Sequence, residues 1–163
     1  MGEQAIKLLG IDIDGTMIRS DGSLSPRVKA ALHAATDAGI QVVPATGRPV
    51  VVAADVIEAL DLPHYWVFAN GAITRHLGRD ELVRGFWMDH TVAAQLITKV
   101  RAGLPNVGVA LEFETNVIFE AEFDQVVPVA PPGDPVADAL DYLHLDTPGY
   151  DCLLYTSPSP RDA

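Results

Sequence analysis

The stretch Lys7-Leu8-Leu9-Gly10-Ile11-Asp12-Ile13-Asp14-Gly15-Thr16 sets an apolar run directly against two acids and a glycine. A run of this length bounded by turn residues predicts a buried parallel strand over 7–13. The acids then fall at the strand's carboxyl end, where open parallel sheets gather their ligands. Side chains two apart in extended backbone share a side, so Asp12 and Asp14 make a carboxylate pair. Gly15 permits a turn whose N–H groups approach an anion. Such a pair can hold a divalent cation. One carboxylate can also attack phosphorus while the other carries the leaving-group proton.

Outward from this stretch the pattern repeats. Ser25 is placed to cap a helix that starts at Pro26, shows Val28, Ala31, Leu32 and Ala35 on one face, and stops at Gly39. Residues 40–44 predict a second strand, 49–60 a second helix weakened by β-branched valines, and 65–69 a third strand. Strands alternating with helices imply right-handed crossovers and a parallel sheet covered on both faces. The second and third strands also end in polar groups. These are Thr46-Gly47-Arg48, whose hydroxyl can donate to a phosphate oxygen, and Asn70-Gly71-Ala72.

Beyond Asn70 the pattern changes. Short strands are predicted at 73–75 and 82–87 around a turn at 78–80. A helix follows over 91–102 with Val92, Leu96 and Val100 as its stripe, then two antiparallel strands, 107–113 and 116–120, joined across Glu114 and Thr115. This reads as a smaller α+β module beginning near Arg84 and appended to the parallel core. The proline-rich segment 126–148 has room for a short helix over 134–143.

Composition bounds the function. The chain has 163 residues, 22 acids against 11 Lys and Arg, a net charge of −11 and a pI near 4.6, which argues against a nucleic-acid partner. With 48% hydrophobic residues it can build a core. No uninterrupted apolar run is long enough to span a membrane. The N-terminus lacks a basic lead, apolar run and cleavage site, so the expected location is the cytoplasm. Ile6 stands where a myristoylation signal needs Ser or Thr. The single cysteine, Cys152, forms no intramolecular disulfide, and no Cys or His spacing suggests zinc. Nothing in the sequence specifies an oligomeric state.

Residues 152–162, CLLYTSPSPRD, are Ser/Pro-rich and aperiodic. They resemble, residue for residue, one reading frame of a transposase-type sequencing adapter. The segment 152–163 is therefore set apart from the fold as a non-native tail.

The motifs Asp12-Ile13-Asp14-Gly15-Thr16 (DxDGT), Thr46-Gly47-Arg48-Pro49 (TGRP) and Asn70-Gly71-Ala72 (NGA), in this order and each after an apolar strand, resemble the haloacid dehalogenase-like (HAD) hydrolase superfamily. Within it they are similar to Cof-type phosphatases with a type IIB cap. The resemblance covers roughly residues 6–120, and the segment 112–120 also looks like cap sequence of bacterial sugar-phosphatase-like members. It implies the N-terminal part of a Rossmannoid three-layer α/β core with a parallel sheet over 1–83 and a partial α+β cap over 84–151. It further implies a Mg2+-dependent phosphatase acting on a small phosphorylated metabolite, such as a sugar phosphate, through an aspartyl phosphate.

By the same resemblance Asp12 is the nucleophile and a magnesium ligand. Asp14 is the general acid/base and offers its backbone carbonyl to the metal. Thr46, with Gly47, binds the phosphoryl group, and Arg48 and Asn70 lie on the substrate side. A lysine and a late acidic GDxxND motif that the family carries after its cap do not occur here, and Lys99 lies within the cap helix. The expectation is therefore of a C-terminally incomplete chain.

Duller readings stand beside these. Arg48 is balanced between a surface charge and a phosphate-side ligand. His33, His64, His76, His90 and His144 read as surface or local capping groups, and Trp66 and Trp87 as packing. Glu112, Glu114, Glu120 and Glu122 read as solvated by strand alternation. Two other functional classes remain: a receiver-like phosphoacceptor domain, disfavoured because its acceptor would follow a middle strand, and a noncatalytic phosphate- or sugar-binding module.

Overall fold

The computed structural model describes residues 6–113, 116–124, 133–144 and 152–156. The chain divides into two units, Met1–Arg48 with Ala53–Gly85, and Pro49–Val52 with Phe86–Ala163. Among the described residues no helix is long and apolar enough to cross a membrane.

The first unit is built on β1 (Leu8–Asp12), β2 (Gln41–Ala45), β3 (Tyr65–Phe68), β4 (Ile73–His76) and β5 (Glu81–Gly85), side by side in that order. β1, β2 and β3 run parallel. β4 and β5 continue the same sheet antiparallel, because tight turns can join only antiparallel neighbours. The segments after Asn70 therefore extend the core sheet and make it mixed. α1 (Pro26–Asp37) begins with Pro26 in its first turn, but Ser25 makes no side-chain capping bond. Only Leu32 of its expected face is fully buried. The second helix is shorter than expected. Val51–Ala53 form a 3-10 turn, and α2 spans only Ala54–Leu60, in keeping with the poor helix propensity of paired valines.

The core of this unit includes Ile13, Met17, Val42, Val56, Leu60, Trp66, Phe68 and Ile73. Trp66 donates its indole N–H to the Leu62 carbonyl at 2.9 Å and stacks on Phe68. β1 corrects the expectation of a buried strand, since Leu8 and Leu9 are 61% and 36% exposed. β1 lies at the sheet edge and pairs with β2 alone among the described residues. Consecutive strand residues face opposite sides, so both faces are uncovered there. Two histidines are not surface groups: His33 Nε2 donates to the Leu60 carbonyl at 2.9 Å, tying α1 to the end of α2, and His76 is buried edge-on to Tyr65.

The second unit holds α3 (His90–Gly103), β6 (Gly108–Glu112), β7 (Val117–Glu120), α4 (Ala121–Asp124), β8 (Asp134–Val136), a 3-10 helix Ala139–His144 and β9 (Cys152–Thr156). The sheet order is β8-β7-β6-β9. Val109, Leu111 and Ile118 pack against Ala93 and Ile97 of α3 and against Ala139 and Leu143. On the other face Ala110, Val117 and Phe119 meet Phe123 and Val51.

Several expectations change here. The buried stripe of α3 is Ala93 and Ile97, while Val92 and Leu96 are exposed and Val100 half-buried. Glu112 and Glu120 are buried because both sheet faces are covered; Glu122 is exposed. Trp87 is 37% exposed rather than packed away. In place of a helix over 134–143 the chain makes β8 and then the 3-10 helix. Pro135, lacking an N–H, suits an edge strand better than a helix interior. Residues 152–156, set apart from the fold, pair antiparallel with β6 as β9, their apolar Leu-Leu-Tyr suiting a strand. Residues 1–5, Glu114, Thr115 and the segments 125–132, 145–151 and 157–163 lie outside the described residues.

Candidate active site

Strand register assembles the site in the first unit. Asp12 at the end of β1 pairs with Ala45 at the end of β2, and Ala45 pairs with Val67 of β3. Beyond these ends a cavity of about 260 Å³ is lined by Asp12, Ala45, Thr46, Gly47, Val67, Asn70 and Gly71. Four of the residues expected at the site, Asp12, Thr46, Gly47 and Asn70, are thus brought to one wall. Asp14 and Arg48 do not line it; they engage one another.

After Asp12 the backbone curls tightly. Gly15 takes φ +77°, and the Ile13 carbonyl accepts from the N–H groups of Thr16, Met17 and Ile18. That curl returns Thr16 over the strand end, where its hydroxyl donates to Asp12 Oδ2 at 3.2 Å. Asp12 is otherwise solvent-facing. Thr16 is a contact that reasoning from sequence missed, although its place four residues on, inside the same motif, carried the signal.

Asp14 is gripped from two sides. Arg48 donates Nη2 to Oδ1 at 2.6 Å and Nε to Oδ2 at 3.1 Å, a two-pronged charge-assisted pair. The buried Thr46 hydroxyl reaches Oδ2 at 3.4 Å, and Arg48 N–H donates to that same hydroxyl oxygen at 3.0 Å. Asp55 of α2 stands 3.7 Å from Arg48 Nη1. The hydrogen bonds to Asp14, outweighing partial burial, hold the guanidinium further above its ordinary pKa. Arg48 is thereby neither a free surface charge nor turned into the cavity. Asp55 was not foreseen, since nothing local links it to Arg48.

The donor chemistry suits a hard cation in part. Asp12 offers a solvent-facing carboxylate and Asp14 a main-chain carbonyl, and Mg2+ commonly takes one or two carboxylates and keeps several waters. Among the described residues no group of three or more His, Cys, Asp or Glu gathers for a metal.

Comparison with known proteins bears on the fold and the family. A *Bacillus subtilis* protein, 5-amino-6-(5-phospho-D-ribitylamino)uracil phosphatase YcsE, is 36% identical over 67 residues, covering 41% of this chain and 27% of the relative. A haloacid dehalogenase-like hydrolase structure from *B. subtilis* superposes with TM-score 0.80 at 20% identity, over 96% of this chain and 63% of that one. The subclass IIB sugar phosphatase BT4131 gives TM-score 0.66 at 20% identity, over 84% of this chain and 54% of its own. The chain therefore spans about a quarter of the curated relative and less than two thirds of either solved chain. The α/β core with the beginnings of a cap is the fold these structures share, in keeping with the type IIB branch. The profile of the haloacid dehalogenase-like hydrolases matches residues 9–123, from β1 through the cavity-lining loops to α4, and the chain belongs to that family.

Proposed function

We propose that this chain carries the phosphoryl-transfer site of a phosphatase for small phosphorylated metabolites, sugar phosphates foremost. The observation that carries this reading is the single cavity that Asp12 shares with Thr46, Gly47 and Asn70 at the ends of three parallel strands. The named activities of the relatives, on a phosphorylated ribitylamino compound and on sugar phosphates, support the substrate class.

In this reading an Asp12 carboxylate oxygen attacks phosphorus in line, the ester P–O bond breaks, and Asp14 gives its proton to the departing alkoxide. Water then attacks the aspartyl phosphate and its proton passes to Asp14. The Asp12 O–P bond breaks, releasing inorganic phosphate. Thr46, from its buried position, donates its hydroxyl to a phosphoryl oxygen, and the Gly47 main-chain N–H offers that group a second donor. The Asp12 carboxylate and the Asp14 main-chain carbonyl would hold Mg2+, which would supply compensation for the negative charge gathered there. Arg48 acts on the substrate side through its hold on Asp14.

Residues 1–83 form the N-terminal part of the catalytic core and 84–151 part of a substrate-selecting cap, with 152–163 an added tail, in a cytoplasmic protein. Acid-quenched turnover with radiolabelled phosphomonoester tests the reading. A covalent phosphoenzyme that decays with phosphate release, and that Asp12→Asn abolishes, is expected. A long-lived adduct without turnover would instead mark a phosphoacceptor domain.

A further inference from the structure

The loop after β3 winds with the opposite hand to an ordinary helical turn. Ala69, Asn70 and Gly71 have φ of 50°, 52° and 99°, before Ala72 returns to right-handed geometry. L-residues resist this conformation, asparagine least, so such a run persists only where neighbours fix it. Here they do. Ala69 N–H donates to the Arg48 carbonyl at 3.1 Å and Asn70 N–H to the Thr46 carbonyl at 3.2 Å. These acceptors flank Gly47. A Cβ at Gly47 would lie 2.8 Å from Asn70 Oδ1 and 3.4 Å from its Nδ2, so the carboxamide fills the space that a side chain at 47 would take. Gly47 and Asn70 both line the cavity.

We propose that Asn70 is a ligand-binding residue of the phosphoryl pocket. Its carboxamide is held over Gly47 so that its amide N–H donates to a phosphoryl oxygen, and position 47 is glycine in order to admit it. This inference rests on the reading of the cavity as a phosphoryl site. A neutral donor suits the place, because it contacts a phosphate dianion without neutralising the carboxylate of Asp12 in the same wall. The strained turn explains where the donor starts: two main-chain bonds to the preceding loop fix the backbone from which the carboxamide projects over Gly47.

The test is a titration of the chain with inorganic phosphate and magnesium chloride, read by amide NMR shifts. Asn70→Gly keeps the left-handed turn and removes the carboxamide, Gly47→Ala displaces it, and Thr46→Val serves as benchmark. Asn70→Gly and Gly47→Ala are each expected to weaken phosphate binding about tenfold. The double variant is expected to bind no more weakly than Asn70→Gly alone, since both changes act through one group. Undiminished binding in Asn70→Gly, with loss in Thr46→Val, overturns the assignment of Asn70 and leaves the phosphoryl pocket standing. Additive losses overturn the interlock with Gly47. No shifts at residues 46–48 and 69–71 in the unsubstituted chain overturn both the inference and the pocket.

Discussion

Arg48 and Asp14, 34 residues apart, meet through both prongs of the guanidinium, at 2.6 and 3.1 Å. Arg48 stands two residues beyond Thr46, on the loop that also supplies the cavity wall, so one short segment both lines the pocket and fixes the second carboxylate. The pair is partly exposed, with side chains 29% and 50% accessible, so it adds little to stability. Its consequence is orientation. Lysine keeps the charge but loses the planar fork. In a catalytically active form of the protein, Arg48→Lys is expected to lower kcat about tenfold, the scale of one charge-assisted hydrogen bond, with KM little changed and the urea midpoint unmoved. Steady-state phosphate release measures it; an unchanged kcat would show that Asp14 needs no such guide.

Asp61 closes α2 in left-handed geometry, φ 52° and ψ 53°, its N–H bonded to the Ile57 carbonyl. An exposed acid there combines a disfavoured backbone conformation with a negative charge at the helix's negative end. Asp61→Gly should therefore raise stability by roughly 0.5–1 kcal/mol, visible as a higher urea midpoint at unchanged slope. A lower midpoint would mean that the flexibility glycine adds to the unfolded chain outweighs both gains.

What the sequence discloses depends on how local the cause is. The three parallel strands and the acids at the end of β1 are legible because an apolar run meeting polar turn residues is a local signal. The face of α3 is not, because Val92-Leu96-Val100 and Ala93-Ile97 are both apolar at helical spacing, and only the sheet beneath selects between them. Glu120 is misread for the same reason: alternation assigns a face, but the covering of both faces decides burial. At the site, Asp12, Thr46 and Asn70 are found from motif order. The Arg48–Asp14 pair and the interlock of Gly47 with Asn70 depend on how two loops approach, which neither loop's sequence states alone.

Glu120 is the hub of the second unit. One oxygen accepts from Arg101 and from Ala139 N–H at 2.7 Å, and the other accepts from Val109 N–H at 3.1 Å. Arg101 also reaches Asp138 at 3.1 Å, so α3, β6, β7 and the start of the 3-10 helix share one buried carboxylate. Glu120→Ala leaves the guanidinium and two main-chain donors without that acceptor and should cost about 3–5 kcal/mol. Glu120→Gln, which keeps one carbonyl oxygen, should cost less. Urea unfolding read from near-UV circular dichroism orders the three proteins. Equal stability of Glu120→Ala and the parent would show that water replaces the carboxylate without loss.

Two further acids make the second unit sensitive to acid. Asp89 caps α3, and the N–H groups of Thr91 and Val92 hold its carboxyl below the ordinary carboxylate value. At Asp138 burial favours the neutral form, but the Leu140 N–H and Arg101 together outweigh it, so its pKa is lowered as well. A carboxyl whose folded pKa lies below its unfolded one contributes stability that is complete above the unfolded value, near 4, and is lost as the pH falls through the folded value. The chain's net charge of −11 acts the other way, since mild acid relieves self-repulsion. The comparison must therefore be with a variant rather than with neutral pH alone. The double variant Asp89→Asn, Asp138→Asn is expected to be less stable than the parent at pH 7 and to converge on it as the pH falls below about 4. Urea midpoints across that range measure the gap; a gap that stays constant would show that neither carboxylate's ionisation is coupled to folding.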